Sequence, residues 1–342
     1  MLGAEHVRRV AVAAAGAAVA LGTFRVAGDA PKQLLVTLGL AFAVIALGAL
    51  VLRRAPGPVL LLVLWAALGA GFLGALHRAD RAGWIWYRLT GFDVAIHENL
   101  GDRVALGAAE LVRRDARFAP DPRRAGGLLL PKGVYDVTET IVLPAGVPLR
   151  IEPGTLLRFG AGRSLVAYGA IQARGTEAEP IVFTARHPWL KWGVVAVVGG
   201  GRSRFEHVRV EHARWARVNG LDLPGALSFL GSDVELSRSE IANVFGKDAL
   251  YVRGGRIVAR DNLFRDAYRD GLDVDGGSGL VEGNRFVDCR DEAIDLSGPY
   301  RIEVVNNEIR DARGGRVAAG ADLDAIRSHN TFGRSDAGAR EG

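Results

Sequence analysis

A repeat with a period near 22 residues dominates the second half of the chain. It is marked by the pattern Asn-x-Phe or Asn-x-Ile, and successive copies lie 22, 23 and 23 residues apart. The copies begin at Asn262, Asn284, Asn307 and Asn330. Ser239-Glu240-Ile241 continues the series upstream by another 23 residues. Each period holds short alternating runs of Val, Ile and Leu between Gly, Asn and Asp, which is typical of strands and turns.

This period, without a helical segment, predicts an all-β solenoid, a parallel β-helix, over residues 128–335. Roughly 208 residues divided by a period of about 22 give about nine coils. Residues one period apart should stack ~4.8 Å apart, at the strand spacing. The recurring asparagines should form a ladder, because Asn tolerates the left-handed conformation of a tight corner and its amide can bond the next Asn.

Three uncharged apolar stretches precede the repeat, at residues 10–24, 33–52 and 55–76. The last two reach the ~20 residues that cross a bilayer core. The first is interpreted as a span, not a cleaved signal peptide, because residues 21–25 offer a poor cleavage site. Residues 1–76 are thus predicted to be a transmembrane anchor of three helices. Arginine pairs at 8–9 and 53–54 favour a cytoplasmic N-terminus, which places residues 77–342 outside the cytoplasm.

Residues 77–127 are predicted to be a juxtamembrane linker with a capping helix. An apolar helical stripe runs from about residue 102 to 118, and Pro120 and Pro122 follow it. Such a helix would cover the unpaired strand edges of the first coil, and a simple linker helix is the alternative. Residues 336–342 are predicted to be a disordered tail.

Charge and cysteine content exclude several classes of partner. The net charge of +5 comes mostly from the membrane flank, since residues 77–342 carry 37 Lys and Arg against 36 Asp and Glu. No basic face interleaved with aromatic residues is present, so no nucleic-acid partner is predicted. The single cysteine, Cys289, rules out an intrachain disulfide and a cysteine-based zinc site, and no metal site is predicted.

The upstream coils also resemble a known family. The likeness is carried by IEPGTLLRF from Ile151, AIQARGT from Ala170, PIVFT from Pro180 and FEHVRVEHA from Phe205. These runs resemble right-handed parallel β-helix proteins of the pectin-lyase-like superfamily, in particular a bacterial extracytoplasmic branch with carbohydrate-associated repeats. The resemblance implies a right-handed coil and a domain on the extracytoplasmic side of the bacterial inner membrane. It also implies a polysaccharide or another envelope component as partner.

Stacking three coils brings acidic side chains together. In the strand 271–275, Leu272 and Val274 should point inward, so that Asp273 and Asp275 face outward. The neighbouring coils add Asp295, Ser297, Tyr251 and Arg253 to these two columns, and a third column at the preceding corner holds Asp248, Asp270 and Glu292. Stacked carboxylates repel unless water, a cation or a proton separates them, and Arg253 is expected to be the nearest opposite charge.

Three interpretations of this cluster remain open: structural corners made by Asp and Gly, a carbohydrate-binding groove, and catalysis. Residues 270–274 and 291–298 resemble the two acidic motifs of polygalacturonase-type glycoside hydrolases, which implies acid and base positions at Asp270, Asp291 and Glu292. The chain lacks the Gly-His-Gly of that family and has Glu303 in place of its lysine after Arg-Ile.

The candidate catalytic residues are therefore Asp270, Asp273, Asp291, Glu292 and Asp295. The candidate ligand-binding residues are Tyr251, Arg253, Asp275, Trp189 and Trp192. Tryptophan rings stack on sugars, although packing is the alternative role for Trp192 at a strand start. No cofactor is predicted, and a bound cation such as calcium at the acidic patch stays open as an alternative. A binding or accessory role is expected, with a polysaccharide hydrolase or lyase and a protein-recruiting scaffold as alternatives.

Overall fold

The computed structural model describes residues 97–187, 191–310, 312, 315–319 and 329–333. The three predicted spans and the predicted tail lie outside the described residues, so both stay predictions. In the described part of the chain, no helix combines the length and the apolar character that crossing a membrane requires.

The described residues form a parallel β-helix, which confirms the all-β solenoid predicted from the repeat. In chain order the strands are β1 (His97–Glu98), β2 (Ala119–Pro120), β3 (Leu128–Leu130), β4 (Val134–Val137), β5 (Ile141–Leu143), β6 (Leu149–Ile151), β7 (Leu156–Phe159), β8 (Leu165–Ala167), β9 (Ile171–Arg174), β10 (Ile181–Ala185), β11 (Val195–Val198), β12 (Arg202–Glu206), β13 (Val208–Glu211), β14 (Ala216–Val218), β15 (Leu221–Leu223), β16 (Gly225–Leu230), β17 (Asp233–Ser237), β18 (Glu240–Val244), β19 (Asp248–Arg260), β20 (Leu263–Ala267), β21 (Leu272–Glu282), β22 (Arg285–Val287), β23 (Glu292–Val305), β24 (Glu308–Arg310), β25 (Gly315–Ala319) and β26 (Thr331–Gly333).

These strands stack into three long sheets. Sheet I has nine strands, in the order β26-β24-β22-β20-β18-β13-β10-β7-β4. Sheet II contains β5, β8, β11, β16, the first halves of β19, β21 and β23, and then β25. Sheet III contains β2, β3, β6, β9, β12, β17 and the second halves of the same three long strands. Nine strands with one per coil span about eight complete turns, one fewer than predicted.

The interior is filled by residues that point inward from each strand. In sheet I, Val210, Ile241, Phe264, Phe286 and Ile309 are successive register partners, which places them in one column. The rings of Phe264 and Phe286 stack with centroids 4.8 Å apart, at the strand spacing. In the Asn-x-Phe pattern, the third residue is therefore the one that points into the core, two residues after each ladder asparagine.

The asparagine ladder is present, with Asn262, Asn284 and Asn307 buried and Asn330 partly buried. Nδ2 of Asn262 donates to Oδ1 of Asn284 at 2.9 Å, and Asn307 bonds Asn330 in the same way at 2.9 Å. Of the two expected reasons for Asn, the amide bond to the next Asn is confirmed. The expected left-handed conformation was wrong, because the ladder residues are not among those with positive φ. That conformation belongs to the preceding residues, Asp261 (φ 55°) and Asn306 (φ 57°). Asn suits the ladder position because its side-chain amide carries both a donor and an acceptor, so that it can bond the coil on either side.

The predicted helix over 102–118 is replaced by two shorter segments. A 3₁₀ helix spans Gly101–Ala105 and an α-helix, α1, spans Ala108–Arg114. The break falls at Leu106, which is extended (φ −69°, ψ 148°). Leu111 from α1 and Phe118 are buried in the same core as Leu128 of the first coil. Apolar residues before the first coil therefore extend the solenoid core.

A hairpin, β14–β15, interrupts the coils, and the repeat gave no sign of it. Its turn is Asn219-Gly220, both with positive φ (52° and 77°), which suits a two-residue hairpin. Because of this insertion, Val210 pairs with Ile241, 31 residues later. The parallel strand β1 adds to β14. Leu223 of the hairpin lies in an apolar cluster with Val166 and other residues of sheet II.

Candidate functional site

Two outward-facing columns of sheet II contain the residues singled out from the sequence. In strand order the first column reads Val166, Ala196, Ser228, Tyr251, Asp273 and Asp295. The second reads Val198, Leu230, Arg253, Asp275 and Ser297. The predicted stacking of the last three members of each column is therefore confirmed.

The character of these columns changes along the solenoid. Upstream they are covered, and apart from the buried Ser228 they are apolar and pack in the cluster that includes the hairpin β14–β15. From Tyr251 onward they are polar and partly or fully exposed. We call this open part, with the corner residues before it, the acidic surface: Asp248, Tyr251, Arg253, Asp270, Asp273, Asp275, Asp291, Glu292, Asp295 and Ser297.

The corner column separates buried from accessible carboxyl groups. Asp270 is only 1% exposed, and its Oδ1 accepts the backbone N–H of Glu292 at 2.9 Å. A bound polymer on the surface cannot reach a group buried in this way, so its geometry matches the structural corner that the sequence left open. Asp291 and Glu292 are partly exposed and remain accessible.

Asp248 is the most unusual member of the acidic surface. It is 2% exposed, and its Oδ1 meets no hydrogen-bond donor among the described residues. Burial, and then the charges of Asp273 and Asp270, raise the pKa of its carboxyl to about 8. The sequence placed Asp248 in the corner column but did not select it as a site residue, because depth below the surface is not visible in a repeat.

The outward carboxyls also titrate above their usual range. Burial raises the pKa of Asp273 to about 7, with further contributions from the charges of Asp295, Asp270 and Asp275. Burial is also the main cause of the raised pKa of Asp295. Near neutral pH, part of the Asp273 population therefore carries a proton.

Glu292 and Asp291 lie beside each other in different electrostatic surroundings. Burial raises the pKa of Glu292 to about 7, with contributions from its hydrogen bond to Asp270 and from the charge of Asp291. Asp291 accepts hydrogen bonds from the guanidinium of Arg269, whose Nη2 lies 3.2 Å from Oδ2. Arg269 was not among the site residues predicted from the sequence. The repeat could have indicated it, because Lys247 and Arg269 lie one period apart, each directly before an aspartate of the corner column.

The binding candidates at the other edge have the predicted neighbours, with one correction. Arg253 does not lie between Asp273 and Asp295. Its Nε is 3.4 Å from Oδ2 of Asp275, so it pairs within its own column. The positive charge of Arg269 lowers the pKa of Asp273 and of Asp295, and so partly offsets the effect of burial. Tyr251 is half-buried, and burial followed by the charge of Asp275 raises its pKa.

Of the two tryptophan candidates, only Trp192 lies in the described part of the chain, and it does not contribute to the acidic surface. Trp192 is fully buried, stacks on Phe159 with centroids 4.4 Å apart, and donates from Nε1 to the carbonyl of Glu211. Its role is packing, because a buried ring cannot receive a sugar. Trp189 lies outside the described residues. The segment with Arg301 and Glu303 follows Gly298 and runs along sheet III, away from the columns of sheet II.

Comparison with known families adds one finding. Residues 197–339 match the family model of the right handed beta helix region. The described coils are those of a right-handed parallel β-helix. No curated protein and no solved structure matches the chain. The matched part of the β-helix contains the acidic surface and the asparagine ladder.

This geometry defines what the acidic surface of the β-helix can do chemically. It offers carboxyl groups that exchange protons near neutral pH, one guanidinium on each side, and a phenol. Such groups can donate hydrogen bonds to hydroxyl groups and accept hydrogen bonds from them. Neighbouring carboxyl groups whose pKa values differ are suited to the roles of acid and base. One oxygen from each of Asp248, Asp270 and Asp273, or of Asp270, Asp291 and Glu292, lies within 4.8 Å of the others, as cation ligands would.

Proposed function

We propose that this protein binds a polysaccharide of the cell envelope along the acidic surface, in a binding or accessory role. The three predicted spans would anchor it to the bacterial inner membrane with the β-helix on the extracytoplasmic side. The supporting observation is the change along sheet II, where the outward columns turn from covered and mostly apolar to open and polar at Tyr251.

The chemistry of this open part favours a glycan rich in hydroxyl groups. Carboxylates accept charge-assisted hydrogen bonds from hydroxyls, and Arg253 can donate to ring or hydroxyl oxygens. The half-buried ring of Tyr251 offers an apolar surface to the carbon face of a sugar. Because the surface is mostly acidic, we expect a neutral or amino-sugar polymer to bind better than a polyanion.

Binding is tested with the full-length protein against neutral, amino-sugar and acidic polysaccharides at fixed ionic strength. The chain offers a matched pair of variants on β19. Arg253 pairs with Asp275 on the acidic surface, and Arg260 pairs with Glu282 on sheet III, each with the next coil. We expect Arg253→Ala to lose at least about tenfold in affinity, corresponding to one charge-assisted hydrogen bond of about 1.5–3 kcal/mol, and Arg260→Ala to keep it.

Equal losses in both variants, or binding of acidic polymers alone, would contradict this function. Binding of a protein in place of any glycan would point to the recruiting scaffold. In either case the acidic surface would need another explanation.

A glycoside hydrolase is the second candidate, favoured by the neighbouring carboxyls Glu292 and Asp291. A carboxyl with a pKa of about 7 can donate a proton to a leaving group near neutral pH, and a second carboxylate can act as base or nucleophile. Release of new reducing ends from a bound polymer would support it, provided that Glu292→Gln abolishes the release and retains binding. Binding without any release would exclude hydrolysis of that polymer.

A further inference from the structure

Three carboxyl groups of the acidic surface converge at one corner of the solenoid. Asp248 opens β19, Asp270 lies at the corner one coil later, and Asp273 is the second residue of β21. One oxygen from each lies within 4.8 Å of the other two. Asp248 and Asp270 are buried, at 2% and 1% exposure, whereas Asp273 is partly exposed and leaves the cluster accessible to solvent.

A second observation is that one buried oxygen of this cluster has no hydrogen-bond partner among the described residues. Oδ1 of Asp248 is buried and meets no hydrogen-bond donor among the described residues. Buried polar atoms nearly always have a partner, and an orphaned carboxylate oxygen is costly. The nearby guanidinium of Arg269 is bonded to Asp291, on the outer side of the corner column.

We propose that Asp248, Asp270 and Asp273 form a binding site for a hard divalent cation, with Ca²⁺ as the best fit. Carboxylate oxygens are the ligands that Ca²⁺ and Mg²⁺ prefer. Ca²⁺ holds its ligands at about 2.3–2.6 Å, so opposite oxygens lie about 5 Å apart, whereas Mg²⁺ requires about 4 Å and near-ideal octahedral geometry. The three oxygens lie within 4.8 Å of one another, close enough for either ion. Three carboxylates in an irregular arrangement favour Ca²⁺, because Mg²⁺ usually binds only one or two carboxylates and keeps several waters. Water would complete the shell through the open side at Asp273.

The site would tie consecutive coils together at the corner before sheet II. Asp248 belongs to one coil, whereas Asp270 and Asp273 belong to the next. A bound cation would satisfy Oδ1 of Asp248 and cancel the repulsion among three adjacent carboxylates. This inference does not depend on the proposed polysaccharide, since the cation is held by the chain alone.

A shared proton is the competing way to satisfy the same carboxyls, and pH separates the two. Calcium binding is measured on the full-length protein by calorimetry with CaCl₂ at pH 8.5, where protons compete least. Terbium luminescence provides a second readout, since Tyr251 is the register partner of Asp273 and can sensitise a bound lanthanide. We expect a Kd on the order of 10⁻⁴ to 10⁻³ M, as in extracellular calcium modules, and a Tm that rises with Ca²⁺ concentration.

The variants are Asp248→Asn and, as a charge-matched control, Asp222→Asn. Asp222 is an exposed carboxylate of the hairpin, paired with Arg217. We expect Asp248→Asn to weaken Ca²⁺ binding at least tenfold and to lose the Tm response, with the control unchanged. No calcium binding by the wild type at pH 8.5, or equal binding by all three proteins, would overturn the proposal. Stabilisation by Mg²⁺ equal to that by Ca²⁺ would overturn the choice of ion.

Discussion

The side chain of Asn284 is joined to that of Asn307 one coil further along the solenoid. Nδ2 of Asn284 donates to Oδ1 of Asn307 at 3.0 Å, and the backbone N–H of Asn284 donates to the same oxygen at 2.8 Å. A second hydrogen of the Asn284 amide reaches the carbonyl of Ala259 at 2.9 Å. A single buried amide therefore links three successive coils.

Replacing Asn284 with Ala should lower the free energy of unfolding by about 1–3 kcal/mol, because it leaves buried polar groups of both neighbours without partners. Thermal melting of the full-length protein measures this. Asn306→Gly is the control, since Asn306 is exposed with a φ of 57° that glycine adopts without strain. An unchanged Tm for Asn284→Ala would show that the ladder does not stabilise the coils.

Asp270 should behave as a corner residue, which two substitutions can distinguish. Asp270→Ala removes the acceptor of the Glu292 N–H and should cost about 1–3 kcal/mol of stability. Asp270→Asn keeps an acceptor at that position and should cost less, as measured by denaturant unfolding. Equal losses for the two variants would show that the charge, which both remove, and not the hydrogen bond is what the corner requires.

Asp273→Asn tests the exposed part of the acidic surface. It should weaken binding of the polysaccharide at least about tenfold by removing a charged acceptor. In EDTA, where no cation is bound, the Tm should stay the same or rise slightly, because the substitution relieves repulsion with Asp295. Binding assays and melting curves of the same preparation, beside Asp222→Asn, check both parts. Full retention of binding would exclude Asp273 as an essential contact.

The stability of the protein in EDTA should fall as pH rises from about 5 to about 8.5. The pKa of Asp248 is about 8 in the folded protein, against 3.8 for an ordinary Asp. The folded state therefore binds more protons than the unfolded state between these values, and stability falls with rising pH. Asp273, with a pKa of about 7, contributes in the same direction.

Asp248→Asn should flatten this fall in part, since Asp273 and Glu292 still titrate. Melting temperatures across the pH series measure the slope for wild type, Asp248→Asn and Asp222→Asn. An equal slope in all three proteins would show that Asp248 does not carry the raised pKa.

The membrane orientation predicted from the sequence has its own test. A C-terminal reporter that is active only outside the cytoplasm should give signal, because three spans and cytoplasmic arginine pairs place the C-terminus outside. A fluorescent fusion that matures only in the cytosol should stay dark. The opposite pair of results would reverse the orientation.

The repeat alone determined the solenoid and its register. Residues spaced 22 or 23 apart must stack when each coil rises by one strand spacing, so Asn284 over Asn307 and Asp273 beside Asp295 followed from counting. Alternation along a strand also fixed which of these side chains face outward. The hairpin β14–β15 was not predicted, because an insertion does not recur and so gives no periodic pattern.

Only the tertiary structure decided depth and partners. Asp270 and Asp273 lie three residues apart in the same acidic motif, yet one is buried at a corner and the other reaches solvent. Arg253 pairs with Asp275, and the charge near Asp273 comes from Arg269. Burial and charge pairing depend on how neighbouring coils enclose a side chain, and that enclosure arises from residues a full period or more away along the chain.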